Sequence, residues 1–187
     1  MRLFIAVETG EDLRLAAASA MRRLKTAGAD VKWVRPEQMH FTLHFLGAVA
    51  PARAPLAARA VEAASGVRAF PLELSGAGAF PDAGNPRVIW LGLSRGAAEL
   101  AALRKAVGEE LSASGFELDS RPFAAHLTLG RVRGTAGMDN LRKLLQEQKT
   151  AGPAPACFAS AVTLFESRLS PSGPEYEVVR SVALKSV

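Results

Sequence analysis

The apolar positions change period along the chain, and the changes mark out its elements. Residues 2–7 alternate weakly and predict a strand. Thr9 then reads as a helix N-cap, with Glu11 and Asp12 in the first turn where the helix dipole favours acids. Leu13, Ala17, Ala20 and Leu24 follow at helical spacing, and Gly28 is the stop. Residues 32–36 form a short extended link, because Pro36 biases Arg35 away from helix. A strand from His40 through Leu46 closes at Gly47. Residues 51–64 predict an alanine-rich helix with Leu56, Ala60 and Ala63 on one face. Strands are expected at 70–74 and 87–93, separated by loop or bulge chemistry over 76–86. The clearest helix is 97–113, where Leu100, Leu103, Val107 and Leu111 make one stripe and Gly115 ends it.

A further strand is expected over 123–131. Asp139 caps a helix reaching about residue 149, with Leu141, Leu144 and Leu145 inward, and residues 152–155 break the chain. Two last strands, 159–169 and 176–184, are joined by the Ser-Pro-Ser-Gly-Pro turn at 170–174. The order suits an α+β fold, bilobal, in which two antiparallel-sheet lobes with flanking helices surround a central cleft. At 187 residues it reads as a single domain spanning 1–187, with no linker between two similar lobes whose strands interleave.

Two of these strands share a motif. His40-Phe41-Thr42-Leu43 and His126-Leu127-Thr128-Leu129 use two of the chain's 3 histidines inside the same apolar frame. With the period of two in a strand, each His and its Thr share one face and the intervening apolar residues face a core. Two such faces brought together make a cleft with two proton-transfer groups and two hydroxyl donors. One His-x-Thr alone is ordinary strand composition; two copies are not. Imidazole titrates near neutrality, so one ring can accept a proton while the other donates one. That arrangement suits in-line opening of a phosphodiester, and a strained 2′,3′-cyclic phosphate needs no metal between two such groups. The hydroxyls of Thr42 and Thr128 can donate to non-bridging oxygens, and Arg131, three residues after Thr128, is either a fixed positive charge for the site or a strand-end surface arginine.

Other chemistries have less behind them. Zinc held by His40, His44 and His126 is the competing reading, but four strand positions put His40 and His44 about 13 Å apart. His44 is expected at a solvated rim instead. The chain has no Gly-x-Ser-x-Gly elbow and no phosphate-binding glycine loop. Cys157 is the only cysteine, which excludes an internal disulfide and fits a reducing, cytoplasmic setting. No membrane-span-length apolar run and no signal peptide is evident. The net charge of +5 is compatible with a polyanionic substrate.

With both motifs in view, the chain resembles the 2H phosphoesterase superfamily, and within it the bacterial and archaeal RNA 2′,3′-cyclic phosphodiesterases, also called 2′-5′ RNA ligases. The similarity runs through residues 2–7, Trp33-Val34-Arg35-Pro36, the first motif continued as His44-Phe45-Leu46-Gly47, Gly78-Ala79-Phe80-Pro81, and residues 87–92. It continues through the second motif to Gly130-Arg131 and the 167–174 segment before Tyr176. The resemblance implies conversion of a terminal 2′,3′-cyclic phosphate on RNA, or of a small cyclic nucleotide, to a 2′-phosphate without metal or cofactor. It implies His126 as proton acceptor, His40 as proton donor, and Thr42, Thr128 and Arg131 as phosphate ligands, with reverse 2′-5′ ligation at the same site. An alternative is an RNA-end binding module of the same fold without turnover. Trp33, His44, Phe45 and Phe123 are candidates for contacts to the base or the RNA. Two positions depart from the family pattern: Ala125 stands where proline is frequent, and His44 where a basic residue such as lysine is frequent. A monomer with no obligate protein partner is expected, since no exposed apolar stripe stands out.

Overall fold

The computed structural model describes residues 1–149, 156–171 and 173–186. The predicted breaker at 152–155 and Ser172 of the last turn lie outside them. Nine strands form two antiparallel sheets among the described residues. The first has the order β3-β1-β8-β9, from β1 (Arg2–Glu8), β3 (His40–Ala48), β8 (Ala161–Ser170) and β9 (Gly173–Ala183). The second has the order β2-β6-β5-β4-β7, from β2 (Val31–Trp33), β4 (Phe70–Phe80), β5 (Val88–Arg95), β6 (Leu127–Val132) and β7 (Ala156–Ala159). The halves of the chain interleave: β8 pairs with β1 to complete the first sheet, and β2 pairs with β6 at an edge of the second.

The helices are α1 (Glu11–Lys25), α2 (Ala54–Ala60), α3 (Ala97–Ala113) and α4 (Met138–Gln148). They bury their apolar faces in one continuous core with Leu3, Ile5, Val7, Phe41, Leu72, Ile89, Leu127 and Leu129. Phe4, Ala6 and Phe165 form a small separate cluster on the opposite face of the first sheet, with Tyr176 packed against it. None of the described helices is long and apolar enough to cross a membrane.

Several local expectations change. Gly10 rather than Thr9 is the N-cap of α1, because Thr9 is buried and donates its hydroxyl to the Met39 carbonyl (3.0 Å). Met21, not Ala20, completes the buried stripe of α1. Residues 51–66 are not one helix: 3-10 turns at Pro51–Arg53 and Val61–Gly66 flank α2. Their buried positions, Ala54, Ala57, Ala60, Val61 and Ala64, recur mostly every three residues, and Leu56 faces solvent. Strand β4 runs on to Phe80 through a stretch that reads as loop, though irregular register at Leu74–Ala77 keeps the expected bulge. Its Gly78 is there for packing, since a Cβ would lie 2.3 Å from the Trp90 ring. Gly137 caps α4 and Asp139 sits in its first turn. Leu144 is only half-buried. Strand β7 had no expected counterpart before residue 159.

Candidate active site

The first motif is held by the pairing of β3 with β1. Glu8 lies opposite His40, Ala6 opposite Thr42 and Phe4 opposite Phe45. Between Thr42 and His44 the register slips, so that Leu43 is an extra residue and the face presented by the strand inverts. His40 and Thr42 therefore line the cleft while Phe41 and Leu43 enter the core, as strict alternation requires. Beyond the slip, His44 is 5% exposed and Phe45 is 64% exposed. This corrects the expectation of a solvated His44. Its ring is packed on α3, where Nε2–H donates to the Arg104 carbonyl (2.7 Å), and it does not line the cleft. The zinc reading loses its third ligand, and among the described residues no cluster of three or more His, Cys, Asp or Glu is placed to hold a metal.

The second motif is arranged differently. Strand β6 begins at Leu127, not at residue 123, so His126 sits at the end of an unpaired segment that enters the sheet. Thr128 is opposite Trp90, again at a register slip, and Arg131 is opposite Val88 and Lys32.

The two imidazoles share one local device. His40 donates Nδ1–H to the carbonyl of Gln38 (2.7 Å), and His126 donates Nδ1–H to the carbonyl of Ala124 (2.6 Å). In each case the acceptor lies two residues upstream, which fixes the tautomer and leaves Nε2 without a partner among the described residues. Each ring is also braced edge-on by an aromatic: Tyr176 at 5.5 Å from His40 and Phe80 at 4.9 Å from His126. Phe4 lies tilted under His40 at 4.9 Å, and Trp90 is 6.3 Å from His126.

Burial lowers the pKa of His40 most, its backbone hydrogen bond opposes this, and the nearby charge of His126 lowers it further. His126 is likewise lowered chiefly by burial, with the Arg131 guanidinium adding to the effect. Burial pushes the Cys157 thiol up, away from nucleophilic thiolate.

A cleft of about 310 Å³ is lined by His40, Thr42, Thr128 and Arg131 together with Phe45 and Tyr176; His126 stands outside this lining, near enough for its charge to act on His40. Arg2, Gln38 and Ser167 also border it. Gln38 and Arg35 both donate to the Pro174 carbonyl, which ties the β9 end of the first sheet to the cleft beside Tyr176. Of the proposed base contacts, only Phe45 faces this space. Trp33 packs over Gly130 and beneath Lys25, and Phe123 packs against Arg104. Sequence reasoning missed Tyr176 as a cleft residue; its signal was that it is the only tyrosine in the chain.

The family model described as LigT like Phosphoesterase matches twice, over residues 7–90 and 91–176, one match for each motif. A Methanothermobacter thermautotrophicus protein named RNA 2′,3′-cyclic phosphodiesterase is 34% identical over 94% of this chain and 95% of its own. An Archaeoglobus fulgidus protein of the same name is 37% identical over 96% of this chain and 98% of its own. A crystal structure from Thermus thermophilus superposes with a TM-score of 0.81 at 26% identity, covering 100% of this chain and 99% of that one.

Proposed function

The chain belongs to the LigT-like phosphoesterases, and we propose that it opens terminal 2′,3′-cyclic phosphates on RNA to 2′-phosphates by metal-free acid–base catalysis. The observation that carries the reading is the matched pair of imidazoles, each with Nδ1–H tied to a backbone carbonyl and Nε2 unpartnered.

In this reading His126 Nε2 accepts a proton from water as the water oxygen bonds to phosphorus. The bond from phosphorus to O3′ breaks in line, and His40 Nε2–H protonates the departing O3′, leaving a 3′-hydroxyl and a 2′-phosphate. The neighbouring Arg131 supports the assignment of His126 as base, because a fixed cation favours the neutral imidazole. The hydroxyls of Thr42 and Thr128 donate to the non-bridging oxygens and Arg131 offsets their charge. A pair of positioned acid–base groups contributes about 10²–10⁴-fold each. A 5′-hydroxyl in place of water gives a 2′-5′ linkage from the same geometry, which is the reverse ligase reaction.

The test is incubation of EDTA-treated protein with an oligoribonucleotide ending in a 2′,3′-cyclic phosphate, resolving 2′- from 3′-phosphate. A 2′-phosphate product, lost in both His40→Ala and His126→Ala, is the expected result. Activity that appears only when zinc is restored overturns the metal-free mechanism. Stoichiometric binding without product makes the protein an RNA-end binding module.

A further inference from the structure

We infer that Gln38 is a positioning residue for His40: its side chain, clamped on the Pro174 carbonyl at the end of the β8–β9 hairpin, holds its own carbonyl on His40 Nδ1 and so aims Nε2 at the departing oxygen. The inference rests on the proposed role of His40 as acid and adds a residue, outside both motifs, on which that role depends.

The observation behind it is an asymmetry between two otherwise matched locks. Both imidazoles donate Nδ1–H to the carbonyl two residues upstream. At His126 that carbonyl belongs to Ala124, whose methyl group can donate nothing, in the unpaired segment before β6. At His40 it belongs to Gln38, whose amide crosses 136 residues of sequence to reach Pro174.

The passage into β3 is fixed at each step. Gln38 ends the 3-10 turn Pro36–Gln38, its N–H donating to the Arg35 carbonyl (2.9 Å). Met39 is buried, and its carbonyl accepts from Thr9 (3.0 Å). The peptide between Gln38 and Met39 is thus held on both sides, and its oxygen is the one that meets Nδ1 (2.7 Å). A carbonyl held there favours the charged ring that an acid must be, and it is the hydrogen bond that raises the pKa of His40 against its burial.

The hairpin end needs the clamp as much as the turn does. Strand β8 pairs with β1 only as far as Glu166, opposite Leu3; beyond it, residues 167–170 and 173–176 pair only with each other among the described residues. Gln38 and Arg35 fasten that end, and Tyr176 is thereby held edge-on to the His40 ring. One side chain therefore sets the ring from two directions, through its own carbonyl and through Tyr176.

Two substrates isolate the acid step: adenosine 2′,3′-cyclic phosphate, and its analogue with sulfur in place of O3′. In both, water bonds to phosphorus and gives its proton to His126. In the analogue the P–S bond breaks and sulfur keeps the electron pair, leaving as a thiolate that needs no acid. The ratio of the two kcat values cancels any loss of folded protein. His40→Ala is expected to slow the oxygen substrate about 10²-fold more than the sulfur one. Gln38→Leu is expected to do so about tenfold, with KM little changed, and Gln38→Lys, which keeps an N–H donor, recovers most of the loss. Arg35→Leu removes the other donor to the same carbonyl while Gln38 still holds the hairpin, and is expected to leave the ratio near wild type. A ratio unmoved by Gln38→Leu, or moved as far by Arg35→Leu, overturns the inference while His40 keeps its role. Equal slowing of both substrates by His40→Ala overturns the acid role itself, and the hold of Gln38 on the ring is then read from nitrogen NMR spectra. Neutral His40 is expected to be the Nδ1–H tautomer in the wild-type protein and to shift toward Nε2–H in Gln38→Leu, with His126 unchanged as the internal reference. An unchanged His40 tautomer overturns the inference even where no substrate is turned over.

Discussion

The guanidinium of Arg104 lies 5.0 Å from the centre of the Phe123 ring, and the same side chain donates from Nε to the Leu43 carbonyl (3.1 Å) and from Nη2 to the Asp119 carbonyl (3.1 Å). It thereby links the bulged residue of the first motif strand to the segment that leads into His126. That segment has no sheet partners of its own, so α3 supplies its anchor. Arg104→Ala is expected to destabilise the fold by about 2 kcal/mol, the sum of a lost cation–π contact and two lost hydrogen bonds. The change is read as a lower urea midpoint with an unchanged slope. A kcat reduced about tenfold at unchanged folded fraction is expected as the two histidines lose their relative position; Arg104→Lys, with one donor point and no planar fork, rescues only part of it.

The pH dependence follows from the lowered pKa of both histidines. The proposed mechanism has one imidazole charged and the other neutral, and burial shifts both transitions to acid of the ordinary 6.5. The profile of kcat/KM is therefore expected to be bell-shaped with its maximum below pH 6.5 and a falling limb through neutrality. Bound phosphodiester carries a negative charge that favours imidazolium, so the kcat profile is displaced to higher pH. An alkaline limb beginning above pH 8 contradicts the assignment of two buried histidines as the titrating pair.

His44 makes a separate contribution, to stability. Its pKa is lowered chiefly by burial, with the Arg104 charge adding to it and the hydrogen bond to the Arg104 carbonyl opposing it. The unfolded chain then binds the proton more readily than the folded one, so stability falls as pH drops below about 6.5 and continues to fall until the folded-state pKa is passed. His44→Gln keeps a donor near the Arg104 carbonyl and removes the titration. Denaturant unfolding at pH 7.5 and pH 5.5 is expected to show a smaller difference for this variant than for the wild-type protein.

Gly78 tests the wall behind His126. A Cβ there would meet the Trp90 ring at 2.3 Å, and Trp90 lies 6.3 Å from His126. Gly78→Ala is expected to cost about 1–3 kcal/mol, to change the tryptophan fluorescence and to reduce turnover. Gly66→Ala, where a Cβ meets nothing within 4 Å, is the matched control and is expected to leave stability within about 1 kcal/mol of wild type.

The chemistry-bearing residues were the most legible part of the chain. His40, Thr42 and Thr128 line up because strand alternation holds up to Thr42 and again over Leu127–Leu129, before a second slip at Gly130, and α3 is legible because its stripe never breaks period. Alternation failed at Leu43, where no glycine, proline or asparagine announces the bulge. The ladder with β1 and the carbonyl-filling Arg104 decide it, and both are distant in sequence. The glycine-rich half of β4 misleads for the opposite reason: Gly78 marks an indole lying flat on the strand, which composition reports as a turn. The break after Ala60 comes from which alanines the core accepts, and a run rich in alanine carries little signal of that.

The pairing of Leu3 with Glu166 in the first sheet has a consequence for how the molecule comes into being. The surroundings of His40 include Tyr176 and, through Phe4, Phe165, so β3 cannot acquire its finished surroundings while only the early part of the chain has left the ribosome. Closure of so long a loop makes folding slow relative to helical proteins of this size. Until β8 is present, β1 lacks its partner on that edge and the cleft side of β3 lacks the aromatic cluster of Phe165 and Tyr176.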